Sequence, residues 1–159
     1  MSTTTDPTPE GEPLVRDIMT VPVITVPPTM TIKELAGLFR DKRIGGVPVV
    51  DEDRLVGIVT EGDLMAIDAD IEMPHFFELF DSIIYLGSQK KFKEQLEKAS
   101  AATVGQLMTD EVRSVAPDDE ARVAATLMHK HKFDRVPVVE GEAVVGIVTR
   151  HDIMKILGL

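Results

Sequence analysis

Two short segments of the sequence place an aspartate three residues after a threonine, Thr60 with Asp63 and Thr149 with Asp152. A carboxylate can accept hydrogen bonds from two neighbouring hydroxyls, such as those of a ribose, and the threonine adds a hydroxyl donor nearby. A helix is predicted to begin at each segment, and its first backbone amides would favour a phosphate. The pattern therefore predicts two sites for a nucleoside-type ligand. The alternative is that each pair only caps its helix.

Both segments belong to an internal repeat with a constant offset of 89 residues, seen for example between Met19 and Met108. A fixed offset over several separate motifs predicts two homologous units. A lone unit of about 55 residues would bury too little surface, so the two copies are expected to pack on each other. The motifs that recur are Met19-Thr20 as Met108-Thr109, Val47 to Val50 as Val136 to Val139, and Gly57 to Thr60 as Gly146 to Thr149.

Hydrophobic periodicity predicts a strand, a helix, two strands and a helix in each repeat, which is an α/β (α+β) fold of β-α-β-β-α units. In the first repeat these elements are a strand at Val23 to Val26, a helix opened by the capping box of Thr31 and Glu34, and a hairpin of Val47 to Val50 with Leu55 to Val59. In the second repeat Asp118 is the expected helix cap. The final helices are expected near Glu61 and Arg150, and short leading turns at 16–19 and 105–108.

The same patterns divide the chain into four segments: a disordered tail at 1–12, repeat one at 13–67, a helical insertion at 68–102 and repeat two at 103–159. The tail has no large apolar residue after Met1. In the insertion, Pro74 to Leu86 and Gln89 to Ala101 are expected to form a helical hairpin with apolar, Phe-rich faces. These faces either pack on the repeats or dock a partner.

Composition excludes several classes of function. A net charge of -10 argues against nucleic acid as a partner. The chain has no cysteine and no apolar run of the roughly 20 residues that a membrane helix needs, so we expect a cytoplasmic protein without a membrane partner. No catalytic motif is present, and His129 and His131 do not share a helix face as a metal pair would. We expect neither an enzyme nor a metal site.

The duplicated Met-Thr, Val-Pro-Val-Val and Gly-Ile-Val-Thr-x-x-Asp motifs resemble a pair of CBS (cystathionine beta-synthase) domains, also called a Bateman module, here stand-alone. The resemblance implies a pseudo-symmetric module that commonly forms a homodimer and regulates a partner. It implies AMP, ADP, ATP or S-adenosylmethionine as a regulatory ligand, with no catalytic cofactor. The alternative is a protein-interaction or dimerisation module with vacant clefts, acting through the Phe-rich insertion.

The resemblance also implies that each ligand cleft combines both repeats. Asp63 would face Phe133 to Arg135, and Arg135 would hold a phosphate. Asp152 would face residues 44–46, where Gly46 occupies the position equivalent to Arg135 and supplies no cation. Arg150 and His151 could provide the positive charge instead. We therefore expect unequal sites, with phosphate favoured near Asp63. The basic run 130–132 would supply further cations for a phosphate near Asp63. The alternative is that it is a solvated basic patch at a helix end. The expected ligand-binding residues are Thr20, Ile44, Gly45, Val47, Thr60, Asp63, Thr109, Arg135, Val136, Pro137, Thr149, His151 and Asp152.

Overall fold

A computed structural model of the protein describes residues 11–69, 75–79, 82–86 and 102–157. The chain divides into two compact units. The central unit is Ile24–Val112, and the terminal unit combines Met1–Val23 with Arg113–Leu159. The helices are α1 (Val15–Ile18), α2 (Ile32–Lys42), α3 (Glu61–Ala69), α4 (Val104–Leu107), α5 (Ala121–His131) and α6 (Arg150–Ile156), and the strands are β1 (Gly46–Asp51), β2 (Arg54–Thr60), β3 (His75–Leu79), β4 (Ser82–Leu86), β5 (Arg135–Glu140) and β6 (Ala143–Thr149).

The mixed α/β fold predicted from the repeat is confirmed, and the two predicted hairpins are present. Strands β1 and β2 pair antiparallel in the central unit, with Gly46 opposite Thr60. Strands β5 and β6 do the same in the terminal unit, with Arg135 opposite Thr149. The pairing places the threonine of each Thr-x-x-Asp segment at the end of the second strand. Helices α3 and α6 follow at once, beginning where the sequence predicted.

The first strand predicted in repeat one is reduced to a single residue. Val26 forms an isolated parallel bridge with Val49, and its amide donates to the carbonyl of Pro48 at 3.1 Å. Val115 and Val138 form the matching bridge in the terminal unit. Pro27 and Pro28, which follow Val26 directly, have no amide hydrogen to donate, so neither residue extends the bridge as a donor.

Helix α2 begins with the predicted capping box. The Glu34 carboxylate accepts from the Thr31 amide at 2.9 Å, and the Thr31 hydroxyl accepts from the Glu34 amide at 3.2 Å. The cap predicted for the equivalent helix α5 is wrong, because Glu120 occupies the N-cap position. Asp118 lies upstream and pairs with Arg16 instead.

The insertion differs from the predicted helical hairpin. Residues His75–Leu79 and Ser82–Leu86 form the antiparallel strands β3 and β4, with Phe76 opposite Tyr85. A helix over Pro74 to Leu86 is therefore wrong for these residues. Phe, Ile and Tyr favour strands, and a short apolar run does not distinguish the two structures by its spacing. The second predicted helix, Gln89 to Ala101, lies outside the described residues.

The predicted N-terminal tail also lies largely outside the described residues, since the structure describes the chain from residue 11 onward. Its last residue, Glu12, forms an ion pair with Arg122 at 3.0 Å. The next carbonyl, that of Pro13, accepts from the Ala121 amide at 2.8 Å. The chain is therefore already ordered against α5 at Glu12.

Each unit has its own apolar core. The core of the terminal unit includes α1, which begins repeat one, and the core of the central unit includes α4, which begins repeat two. Val15 of α1 is fully buried in the terminal unit, and Val104 of α4 is fully buried in the central unit. The leading segments of the two repeats are therefore exchanged between the units. The buried core clusters are Val26, Ile32, Leu35, Phe39, Val47, Val49, Val59 and Val104 in the central unit, and Val15, Val115, Ala124, Met128, Val136, Val138 and Val148 in the terminal unit.

Candidate functional site

In the central unit, the Thr60-x-x-Asp63 segment joins the end of β2 to the first turn of α3. The Asp63 carboxylate accepts through Oδ2 from the Thr60 amide at 2.8 Å and from the Thr60 hydroxyl at 3.2 Å. The Asp63 side chain is partly exposed. The turn therefore presents a carboxylate to solvent while it ties the strand to the helix.

The terminal unit repeats this turn with a more buried carboxylate. Asp152 Oδ2 accepts from the Thr149 amide at 2.8 Å and from the Thr149 hydroxyl at 3.0 Å. Asp152 is 6% exposed, and it is the one charged side chain that is buried within the described ranges. Capping engages mainly Oδ2 in both turns, so the capping alternative and ligand binding through Oδ1 are compatible.

A third residue of the terminal unit, Thr20, reaches the Asp152 carboxylate. The Thr20 hydroxyl donates to Oδ1 at 3.4 Å and to Oδ2 at 3.3 Å. The Thr20 backbone is fixed by a bridge to Ile147, with hydrogen bonds of 2.8 and 3.3 Å. Sequence reasoning selected Thr20 and Asp152 separately and did not predict this contact. The signal that could have indicated it is the recurrence of Met-Thr at the same offset as Thr-x-x-Asp.

The corresponding threonine of the central unit behaves differently. Thr109 forms the matching backbone bridge with Ile58, with hydrogen bonds of 2.9 and 3.0 Å. In the part of the chain that the structure describes, however, no hydrogen bond joins its hydroxyl to Asp63. The two turns are alike in their backbone and unlike in the donors that reach the carboxylate.

Each turn also contacts the segment that precedes the first hairpin strand of its own unit. The Glu61 amide donates to the Gly45 carbonyl at 2.9 Å, and the Arg150 amide donates to the Asp134 carbonyl at 2.8 Å. Arg150 adds an ion pair with the Asp134 carboxylate at 2.8 Å. The guanidinium expected to assist phosphate binding in the terminal unit therefore already has an acidic partner.

The other predicted site residues fall into two groups. Val47, Val136 and Pro137 are buried in the cores of their units, whereas Ile44 and Gly45 are partly exposed and His151 is exposed. The predicted pairings of Asp63 with Arg135 and of Asp152 with Gly45 join residues of different units, so they stay predictions.

The basic run at the end of α5 has a defined local structure. The His131 ring stacks on Phe133, with ring centres 5.5 Å apart. Partial burial lowers the pKa of His131 below its usual value, and the positive charges of Arg113 and Lys130 lower that pKa further. The neighbouring positive charges therefore favour the uncharged form of the His131 ring.

The described residues contain neither a cluster suited to a metal ion nor a membrane-spanning helix. No group of three or more metal-ligating side chains could hold an ion there. None of the helices in that part of the chain is both long and apolar enough to span a bilayer.

The sequence model of the CBS domain matches residues 15–70 and again residues 104–159. The chain therefore belongs to the CBS domain family, as a pair of CBS domains, and the resemblance drawn from its motifs is confirmed. Protein MJ1426 of Methanocaldococcus jannaschii is 33% identical over 153 residues, which cover 91% of this chain and 90% of that protein.

Solved structures of CBS domain pairs resemble the chain closely. The CBS domain pair of protein MJ0100 in complex with 5′-methylthioadenosine and S-adenosyl-L-methionine has a TM-score of 0.70 at 30% identity, covering 92% of this chain and 97% of that one. The protein CBSX2 in complex with AMP has a TM-score of 0.68 at 27% identity, covering 91% and 95% of the two chains. Both similarities extend over nearly the whole length of each chain.

Proposed function

We propose that this protein is a regulatory module that binds an adenosine-containing ligand through the ribose at its Thr-x-x-Asp turns. The observation that carries the proposal is the buried Asp152 carboxylate. Its Oδ2 is held by Thr149, while Oδ1 receives only the long contact from Thr20 among the described donors. A buried carboxylate favours further hydrogen-bond donors, and a ribose diol supplies two.

The similar structures support an adenosyl ligand in particular. One of them contains 5′-methylthioadenosine and S-adenosyl-L-methionine, and another contains AMP. The feature common to these ligands is the adenosine portion, whereas their 5′ substituents differ in charge. The Thr-x-x-Asp turns, which both units share, are suited to the common portion.

We further propose that the two sites prefer different 5′ substituents. In the terminal unit Arg150 is engaged by Asp134, which favours an uncharged group such as a methylthio substituent. The Asp63 site would take a phosphate, with Arg135 as its partner as the family resemblance implies. A regulatory role fits this arrangement, because two sites of different preference can report two ligands or one ligand at two concentrations.

Isothermal titration of AMP and 5′-methylthioadenosine against the full chain tests the proposal. Asp63→Asn should weaken AMP binding more, and Asp152→Asn should weaken methylthioadenosine binding more, since each substitution removes the charge and replaces one of the two acceptor oxygens by an NH2 group. Circular dichroism of both variants controls for folding. Equal effects of the two substitutions on both ligands would contradict the unequal sites, and no binding of any adenosyl ligand by the native protein would contradict the function.

The competing function is an interaction module with vacant clefts. A panel of AMP, ATP and S-adenosylmethionine distinguishes the two in a thermal unfolding assay, because a ligand that binds only the folded state must raise Tm. The homodimer and the regulated partner implied by the resemblance, and the cytoplasmic location expected from the composition, belong to the same proposal. Light scattering with and without AMP tests the dimer, and incubation with ATP should yield no product if the module is not an enzyme.

A further inference from the structure

We infer that the Thr20 hydroxyl occupies the place of a ribose hydroxyl on Asp152 when the site is empty, and so sets its affinity and selectivity for a 2′,3′-diol. The inference rests on the proposed function, since it assumes that Asp152 binds a ribose. It assigns to Thr20 a role as a competitor that the ligand must displace. Thr20 would then act on ligand affinity through Asp152.

The burial of Asp152 is the first step. Asp152 is 6% exposed and therefore has little contact with water, and a buried charge requires hydrogen-bond donors from the protein. Thr149 supplies two donors, both to Oδ2. The hydroxyl of Thr20 is the donor that reaches Oδ1 among the described residues, at 3.4 Å. The same hydroxyl lies 3.3 Å from Oδ2, so it sits across the open side of the carboxylate, where a ligand hydroxyl would have to approach.

The contact is weak enough to be exchanged. Its two distances, 3.3 and 3.4 Å, exceed the usual range of about 2.5–3.0 Å for a hydroxyl donor. The Thr20 side chain is exposed, while its backbone is held by two hydrogen bonds to Ile147. A change of side-chain rotamer can therefore withdraw the hydroxyl from Asp152 without moving the bridge.

The central unit provides an internal comparison. Thr109 has the same backbone bridge, to Ile58, but its hydroxyl is not bonded to Asp63 in the described residues. Asp63 is also more exposed than Asp152, so water can supply the missing donors. A ligand at Asp63 would displace water, and a ligand at Asp152 would displace Thr20. Removing the hydroxyl of Thr20 should therefore change binding, and removing that of Thr109 should not.

The test uses the full chain carrying Asp63→Asn. This substitution weakens the site of the central unit, so that the measured binding reports on Asp152. Adenosine and 2′,3′-dideoxyadenosine are titrated by calorimetry with Thr20 intact, with Thr20→Val and with Thr20→Ser. Thr20→Val should raise the affinity for adenosine by about 2- to 5-fold. This change corresponds to the lower part of the range for the net contribution of one hydrogen bond. It should leave the affinity for dideoxyadenosine unchanged, and Thr20→Ser should behave as the parent.

The matched control is Thr109→Val in protein carrying Asp152→Asn, where no gain is expected. A loss or no change in adenosine affinity with Thr20→Val would overturn the inference, and so would an equal shift for both ligands, which indicates a merely structural effect. Absence of any adenosine binding in the Asp63→Asn parent would instead overturn the proposed function at this site. Thr20→Ala provides a second variant without the hydroxyl if the valine variant is unstable.

Discussion

The Met19 side chain lies directly against Gly146, so that a β-carbon on Gly146 would come within 2.6 Å of the Met19 sulfur. Met108 and Gly57 make the same contact in the central unit, even more closely. These contacts explain why Met-Thr and Gly-Ile-Val-Thr both recur in the sequence. Each Met-Thr segment packs on the Gly-Ile-Val-Thr strand of the other repeat, inside one unit.

Gly146→Ala should destabilise the protein. The added methyl would lie 2.6 Å from the Met19 sulfur and 3.1 Å from its Cγ, so the partly buried Met19 side chain must move. Overpacking of this kind costs about 1–3 kcal/mol, measurable as a lower free energy of unfolding in urea. Gly57→Ala should cost at least as much, because the methyl would also lie 3.1 Å from the Thr109 carbonyl oxygen.

Gly37→Ala is the matched control for these substitutions. A methyl at Gly37 meets only the Arg40 side chain at 3.7 Å, and the position lies inside α2. Alanine is the better helix former by about 1 kcal/mol, so the expected sign is opposite. A neutral Gly146→Ala variant would show that Met19 is not fixed against the strand.

Thr31→Ala should weaken the start of helix α2 by about 1 kcal/mol, the usual cost of losing a threonine cap. It should also change the titration of the Glu34 side chain. The backbone hydrogen bond from Thr31, and then its side-chain hydrogen bond, lower the pKa of Glu34 below 4.5. Because the charged form is favoured by folding, this contribution is present above pH 4.5 and is lost as the pH falls through the lowered pKa.

NMR titration of the Glu34 side chain checks both points. The midpoint in the native protein should lie below 4.5, and Thr31→Ala should move it towards that value while retaining the backbone donor. Thr31→Ser should leave the midpoint as it is. An unchanged midpoint in Thr31→Ala would show that the hydroxyl does not contribute.

His131 should titrate below the usual histidine value of 6.5, because of its partial burial and, secondarily, of Arg113 and Lys130. Folding here favours the neutral ring. Stability should accordingly rise with pH through the interval between the lowered pKa and 6.5, and fall as the ring becomes protonated. Arg113→Ala should raise the pKa in an NMR titration, whereas replacing Arg16, which pairs with Asp118, should not. A fall in the pKa on removing Arg113 would contradict this account.

The turn between β1 and β2 should accept a stabilising change. Glu52 and Asp53 both have positive φ, 47° and 64°, a conformation that costs a non-glycine residue about 1–2 kcal/mol. Replacing the pair by Asn-Gly, which suits a turn with two positive φ values, should raise the free energy of unfolding by about 1 kcal/mol. The other hairpin already has Gly141 at the matching position, with φ 65°. Gly141→Ala should be destabilising, because it places a β-carbon at a positive φ, and a stabilising effect there would argue against the explanation.

Caps, hairpins and turns could be predicted from the sequence, because they depend on residues that are close together in the chain. Thr31 and Glu34 form a capping box across three residues, and the hairpin of Gly46–Asp51 with Arg54–Thr60 closes over a short turn. The start of each final helix and the Thr-x-x-Asp turns were predicted for the same reason. In β3 and β4 the local pattern was ambiguous, and strand pairing prevailed over the helical spacing of the aromatic residues.

The exchange of leading segments between the repeats required the tertiary structure. Both repeats carry the same motifs, so Met19-Thr20 could have packed on Gly57 to Thr60 of its own repeat as plausibly as on Gly146 to Thr149. The structure shows which packing occurs, because Val15 is completely buried in the core of the terminal unit. That packing brings the Thr20 hydroxyl to Asp152, a contact across 132 residues that no local pattern could specify.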